Sequence, residues 1–203
     1  MKPYLSPAKT GEAVFCERGS RFVGVCAAVP DEDGAREFIG EIRRKHPGAS
    51  HNVYAYRLRD GAERLSDDGE PSGTAGSPVF GVLARRDLVN AVIVVTRYFG
   101  GTLLGAGGLV RAYAKSAAAA LDAAGVAEWT LWREGMITVP YPLYERVNRL
   151  LEGAGARNTG SEFGENVSVK FQVSGESWEP LCAVLRELTG GDAPGTLRTL
   201  YRP

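Results

Sequence analysis

Residues 94–113 read VVTRYFGGTLLGAGGLVRAY, and the N-terminal half of the chain can be built outward from them. Leu88 to Tyr98 is a Val/Ile-rich run without polar alternation, which predicts a strand buried on both faces. It ends in Arg97-Tyr98-Phe99 and passes into a loop with five glycines in nine positions, Gly100, Gly101, Gly105, Gly107 and Gly108. A helix is expected from about Gly107, turning Leu109, Val110, Tyr113, Ala117 and Leu121 inward and stopping at Gly125. A strand, a glycine loop and a helix with Arg111 and Lys115 in its early turns form a natural anion site, because exposed first-turn amides and the helix dipole both favour negative charge. The pattern is not a nucleotide loop of known type. Ala106 and Gly107 stand where a Walker motif needs Lys and Ser/Thr, and Val110 replaces the third glycine of GxGxxG. The competing reading is that the glycines only make a tight turn and let the helix approach the sheet.

Arg97 beside two aromatic rings suits a phosphate contact with a stacked base, a combination that single-stranded nucleic acid rewards. Strand alternation sends neighbours to opposite faces, so one of Tyr98 and Phe99 belongs in the core.

Upstream, Glu12 to Glu17 and Ser20 to Val29 read as two strands. Asp31 caps a helix with Ala35, Phe38, Ile39 and Ile42 at helical spacing, closed by Arg43-Arg44-Lys45 and Pro47-Gly48. His51 to Leu58 alternates as a strand, with Tyr54 and Tyr56 opposite Val53 and Ala55. Ser66 to Pro78, SDDGEPSGTAGSP, is rich in turn formers and reads as a long functional loop before a short helix from Ser77 to Arg86. Its Asp67, Asp68 and Glu70 either order the loop or help to hold Mg²⁺ with substrate phosphates. The one nucleophile–base pair the strands could bring together is Cys26 with His51; otherwise His51 reads as a hydrogen-bonded pocket residue.

After Gly125 the texture changes to strand, helix, two strands, helix and strand, which is the ferredoxin-like βαββαβ order. The expected domains are 1–130 and 131–203. The chain has 203 residues, 24 Lys+Arg against 24 Asp+Glu and 44% apolar residues, which suits two small α/β domains with real cores. Up to Gly125 there are 16 basic and 14 acidic residues, and beyond it 8 and 10, so nucleic-acid binding requires a local basic patch. No apolar run approaches the roughly 18 residues of a membrane span, no leader-like apolar block opens the sequence, and three scattered cysteines suggest neither zinc nor disulfides. A cytoplasmic protein is expected.

Taken together, SRF at 20–22, HNVYAY at 51–56, DDGEPSGTAGSP at 67–78 and the 94–113 block resemble the signature blocks of the IMPACT/YigZ family. The resemblance implies an N-terminal ribosomal-protein domain 2-like βαβ fold followed by a ferredoxin-like domain, a pair similar to the last two domains of elongation factor G. Eukaryotic relatives act in translational control, competing for the activator of an amino-acid-starvation kinase partly through an extra N-terminal domain. For this chain the resemblance implies regulation of translation, with RNA or the ribosome as partner and no membrane. It carries over no catalytic residues. The expected RNA or phosphate contacts are Arg97, Tyr98, the glycines 100, 101, 105, 107 and 108, Arg111 and Lys115, with His51 and Tyr54 beside them. The alternatives are a Mg²⁺-dependent enzyme or binding protein for a small phosphorylated metabolite, and a protein-interaction scaffold with a regulatory partner.

Overall fold

The apolar run around Val94 becomes the middle strand of the first sheet. In the computed structural model, which describes residues 3–202, this strand is β6 (Ala91–Tyr98). The others are β2 (Gly11–Glu17), β3 (Ser20–Ala28), β4 (His51–Arg57) and β5 (Glu63–Ser66). Their spatial order is β2-β3-β6-β4-β5, and every adjacent pair is antiparallel. Ile93 and Val95 join one core with α2 (Gly76–Arg85) and α3 (Ala106–Ala124), while Val92 and Val94 join another with α1 (Glu32–Lys45). Burial on both sides is why the strand shows no polar alternation, and each such side chain contributes roughly 1.5–3 kcal/mol.

Local signals account for the helices. The Asp31 carboxylate accepts the Gly34 amide at 2.8 Å, and Ala35, Ile39 and Ile42 are buried one turn apart. On α3 the buried stripe runs Leu109, Ala112, Tyr113, Ala117, Ala120, Leu121, Ala124. Its alanines, with Gly24 below, bring the helix close to the sheet: a Cβ on Gly24 would lie 2.7 Å from the Ser116 carbonyl oxygen. Val110, expected inward, is instead 39% exposed, because it lies off that stripe.

Two short strands escape the sequence pattern. β1 (Tyr4–Pro7) is tied down by the Val89 amide, which donates to the Leu5 carbonyl, and by Ser6 Oγ, which donates to the Asn90 carbonyl. β5 is only ERLS and largely exposed, and its pairing with β4 shortens the expected loop to residues 67–75.

The chain divides into two units at Glu128/Trp129, within the long strand β7 (Val126–Val139). The second unit continues with α4 (Tyr141–Gly153), β8 (Arg157–Phe163), β9 (Val167–Ser174), α5 (Gly175–Thr189) and β10 (Gly195–Arg202). Its strands lie in the order β10-β7-β9-β8, all antiparallel, which is the ferredoxin-like arrangement. Ile137, Val139, Phe171, Val173, Trp178 and Leu185 fill the space between this sheet and its two helices. Gly135 is obligatory there, since a Cβ would stand 2.6 Å from the Trp178 ring. Among the described residues no helix is long and apolar enough to cross a membrane.

Candidate functional site

Arg97 sits on the same face of β6 as Ile93 and Val95, and alternation drives its guanidinium under α3. There it is 5% exposed. Its Nη1 donates to Glu70 Oε1 at 2.6 Å and its Nη2 to Ser20 Oγ at 3.2 Å. Nε is buried with no hydrogen-bond partner among the described residues, and the Phe22 and Phe99 rings flank the group at 5.5 Å each. The same Glu70 oxygen accepts the Tyr113 hydroxyl at 2.7 Å, and His51 Nε2 stands 3.8 Å away. Burial, then the adjoining Glu70 carboxylate, push the Tyr113 phenol far above its ordinary value. The expectation that Arg97 meets a ligand phosphate is therefore corrected. Its charge is committed to Glu70 inside the domain.

The acidic loop is equally committed. Asp67 Oδ1 accepts the Ala75 and Gly76 amides at 3.0 and 2.8 Å, and Oδ2 accepts the Gly73 amide at 2.9 Å. It thus caps α2 from eight residues upstream, where Ala75 at the N-cap position offers no side-chain acceptor. Burial would raise its pKa, but the three amides outweigh that and hold the carboxyl below its usual range. Asp68 accepts Arg43 Nη2 at 2.7 Å and the Asn52 amide at 2.6 Å, while its carbonyl lies 2.7 Å from His51 Nδ1. Among the described residues no group of three or more His, Cys, Asp or Glu is arranged to hold a metal ion. Asp67 and Asp68, two of the residues for which a Mg²⁺ role is expected, use their carboxylates to organise the loop, and the third, Glu70, receives Arg97 and Tyr113.

The glycine loop divides by role. Gly100 is demanded by packing, since a Cβ there would fall 1.9 Å from the Gly19 carbonyl carbon. Gly105, at φ 69°, caps α3 with its carbonyl, which accepts the Leu109 amide at 2.9 Å. The amides of Ala106, Gly107 and Gly108 have no acceptor among the described residues, and Ala106 and Gly107 are exposed. Gly107 needs neither positive φ nor room: the nearest atom to a Cβ there is Arg111 Nη1, at an ordinary 3.5 Å. Its bareness leaves the helix opening accessible beneath the Arg111 guanidinium.

Beside that opening lies a cleft of about 240 Å³. Arg18, Arg111 and Lys115 set three positive charges around it against Glu17, and Phe15 and Leu104 supply apolar wall. The Lys115 ammonium stands 4.4 Å from the centre of the Phe15 ring. Arg18 and Phe15 lie on the β2–β3 hairpin and escaped sequence reasoning. The Arg18-Gly19 turn between two strands was the available signal, and only the antiparallel register of β2 against β3 carries it to α3.

Other expected contacts lie elsewhere. Tyr98 faces α1, its hydroxyl 2.8 Å from His46 Nδ1 and its ring under Arg21. Tyr54 stacks on Tyr56 at 6.5 Å on that same side, below Arg43. Neither joins the glycine loop. Cys26 and His51 form no pair, because β6 separates their strands and the register sets Cys26 level with Ile93 but His51 level with Arg97. Burial pushes the Cys26 thiol up to about 12.

The fold and this cleft define a two-domain α/β protein whose first domain offers a cationic pocket at a helix N-terminus and whose second is ferredoxin-like. Residues 18–121 match the Impact N-terminal domain, and residues 137–192 match a domain of unknown function (DUF1949). The chain belongs to the IMPACT family. It is 37% identical to IMPACT family member YvyE of Bacillus subtilis over 93% of this chain and 88% of that one. With IMPACT family member YigZ of Escherichia coli it shares 39% identity over 56% and 57% of the two chains. Protein IMPACT of Danio rerio is 32% identical over 48% of this chain and 32% of its own length. A solved structure described as that of a hypothetical protein superposes with a TM-score of 0.67 at 28% identity, covering 97% of both chains.

Proposed function

We propose that the protein is a cytoplasmic, translation-related regulator that binds RNA, free or on the ribosome, through the cleft at the start of α3. The observation that carries this reading is a cleft where Gly108, in the first turn of α3, meets Arg18, Arg111 and Lys115, beside first-turn amides that have no acceptor among the described residues. A phosphate seated there would accept from the amides while the side chains neutralise its charge. Membership of the IMPACT family supports the translational setting, and an even global charge makes such a local patch necessary. Arg97 and the acidic loop act beneath it, holding the sheet and α3 in position.

The test is RNA affinity across a salt series for wild type, Arg18→Ala and the double variant Arg111→Ala/Lys115→Ala. Removing one side chain that neutralises a phosphate lowers the slope of log affinity against log salt by about 0.7 for a single strand or 0.9 for a duplex. Variants that bind with wild-type affinity and slope remove the cleft from the interface.

A further inference from the structure

The second unit carries an aromatic residue with two arginines near its ring, on the sheet face turned away from its helices. Along β7, Gly135, Ile137 and Val139 face the helices, which turns Trp132, Glu134 and Met136 to the other side. The register places Ser174, Gln172 and Lys170 of β9 beside them, and Leu200 and Arg198 of β10 on the opposite flank. Arg157, level with Gln172 of β9, reaches to within 5.5 Å of the Trp132 ring, and Arg202 approaches it from β10 at 6.0 Å. Trp132 Nε1 is satisfied by Thr130 Oγ1, which fixes the indole against the sheet.

The charges on this face are unevenly spent. Glu134 takes Gln172 Nε2 at 2.6 Å and Arg198 Nε at 2.9 Å, and Glu162 takes Lys170 at 2.7 Å. Both acids are thereby used. Arg157 and Arg202 have no carboxylate within ion-pair distance among the described residues, although, behind the Gln172 and Arg198 hydrogen bonds, the charge of Arg202 helps hold the Glu134 carboxyl below its usual range, and they stand beside one partly exposed indole. A buried-core role would not need them, because Trp178 and Phe171 already fill the opposite side.

We infer that this face binds single-stranded RNA, with a base stacked on Trp132 or its covering guanidinium and the flanking phosphates on Arg157 and Arg202. The polymer matches because an extended strand presents π-faces and phosphates alternately, as the face presents an indole and guanidinium groups. The inference takes only the polymer's identity from the function proposed above, and its residues are distinct from the α3 cleft.

The experiment measures binding of a fluorescein-labelled oligouridylate of about a dozen nucleotides to the full chain by anisotropy. Trp132→Ala should weaken binding about tenfold, and Trp132→Phe, which keeps a stacking ring, no more than about threefold. Arg157→Glu/Arg202→Glu changes two surface residues without touching the core, and should weaken binding more than Trp132→Phe while leaving the melting temperature in place. A duplex of the same length should be indifferent to Trp132→Ala. Wild-type affinity in both Trp132→Ala and Arg157→Glu/Arg202→Glu overturns the inference, as does an equal loss for duplex and single strand. Loss in these variants with none in Arg111→Ala/Lys115→Ala would leave this face standing and remove the α3 cleft; the converse would do the reverse.

Discussion

Arg111 and Tyr113 stand two residues apart on α3 and meet opposite environments. Arg111 lies in the open above Gly107, whereas the Tyr113 hydroxyl is sealed in the domain against Glu70. The same contrast separates the whole cationic cleft from the Glu70–Arg97–Tyr113 cluster. In one, positive side chains gather near the start of α3 with a single opposing acid; in the other, each charge has a partner and is buried. Polar residues crowded into one stretch of sequence therefore do two jobs, and burial rather than residue type separates them. An uncompensated charge is tolerable at the surface but costs several kcal/mol inside, so buried members must pair and exposed ones need not.

The largest test of this division is Glu70→Ala, which leaves the Arg97 guanidinium buried without its partner. It should destabilise the first domain by about 3–5 kcal/mol in urea unfolding. Glu70→Gln, which keeps acceptor geometry but not charge, should cost less. A loss under about 1 kcal/mol for Glu70→Ala would mean that the cluster opens to water in solution.

Next comes Asp67→Asn, expected to cost about 2 kcal/mol at neutral pH because amides at the start of α2 lose a charged acceptor. The fold holds the Asp67 carboxyl below its usual range, so its contribution is present above about pH 4 and disappears as pH falls through the folded-state value. The gap between wild type and variant should therefore narrow in acid. A gap that stays constant from neutrality to about pH 2 would show that geometry, not charge, stabilises the loop.

Tyr113→Phe should cost about 1 kcal/mol, removing one donor to Glu70 while Arg97 keeps the acceptor occupied. The smallest stability effect belongs to Arg111→Ala/Lys115→Ala, within about 0.5 kcal/mol of wild type by thermal melting, although RNA binding should weaken and its salt slope fall. If this pair destabilised the domain as much as Glu70→Ala, the distinction between cleft and interior would not hold.

Much of the scaffold is legible in the sequence. Alternation and punctuation alone place β3, α1, β4, β6 and α3 within a few residues, and the βαββαβ run after Gly125 indicates the second sheet without its strand order. The misses have physical causes. β1 and β5 are four residues each, too short for a period to register, and β1 is also held by residues distant in sequence. Arg97 reads as a ligand contact because its neighbours are aromatic and glycine-rich, but its acidic partner lies 27 residues away on a loop with no pattern of its own. Arg18 and Phe15 escape for the mirror reason, being ordinary hairpin residues until the sheet carries them to α3.

The amino-acid order by itself determined which segments become strands and helices, where the chain must turn, and to which family it is similar, because periodicity, capping and turn chemistry are local. Only the tertiary structure decided which polar side chains are sealed in pairs and which face solvent. That choice depends on sheet register and on contacts between residues far apart in the chain, which no local pattern encodes.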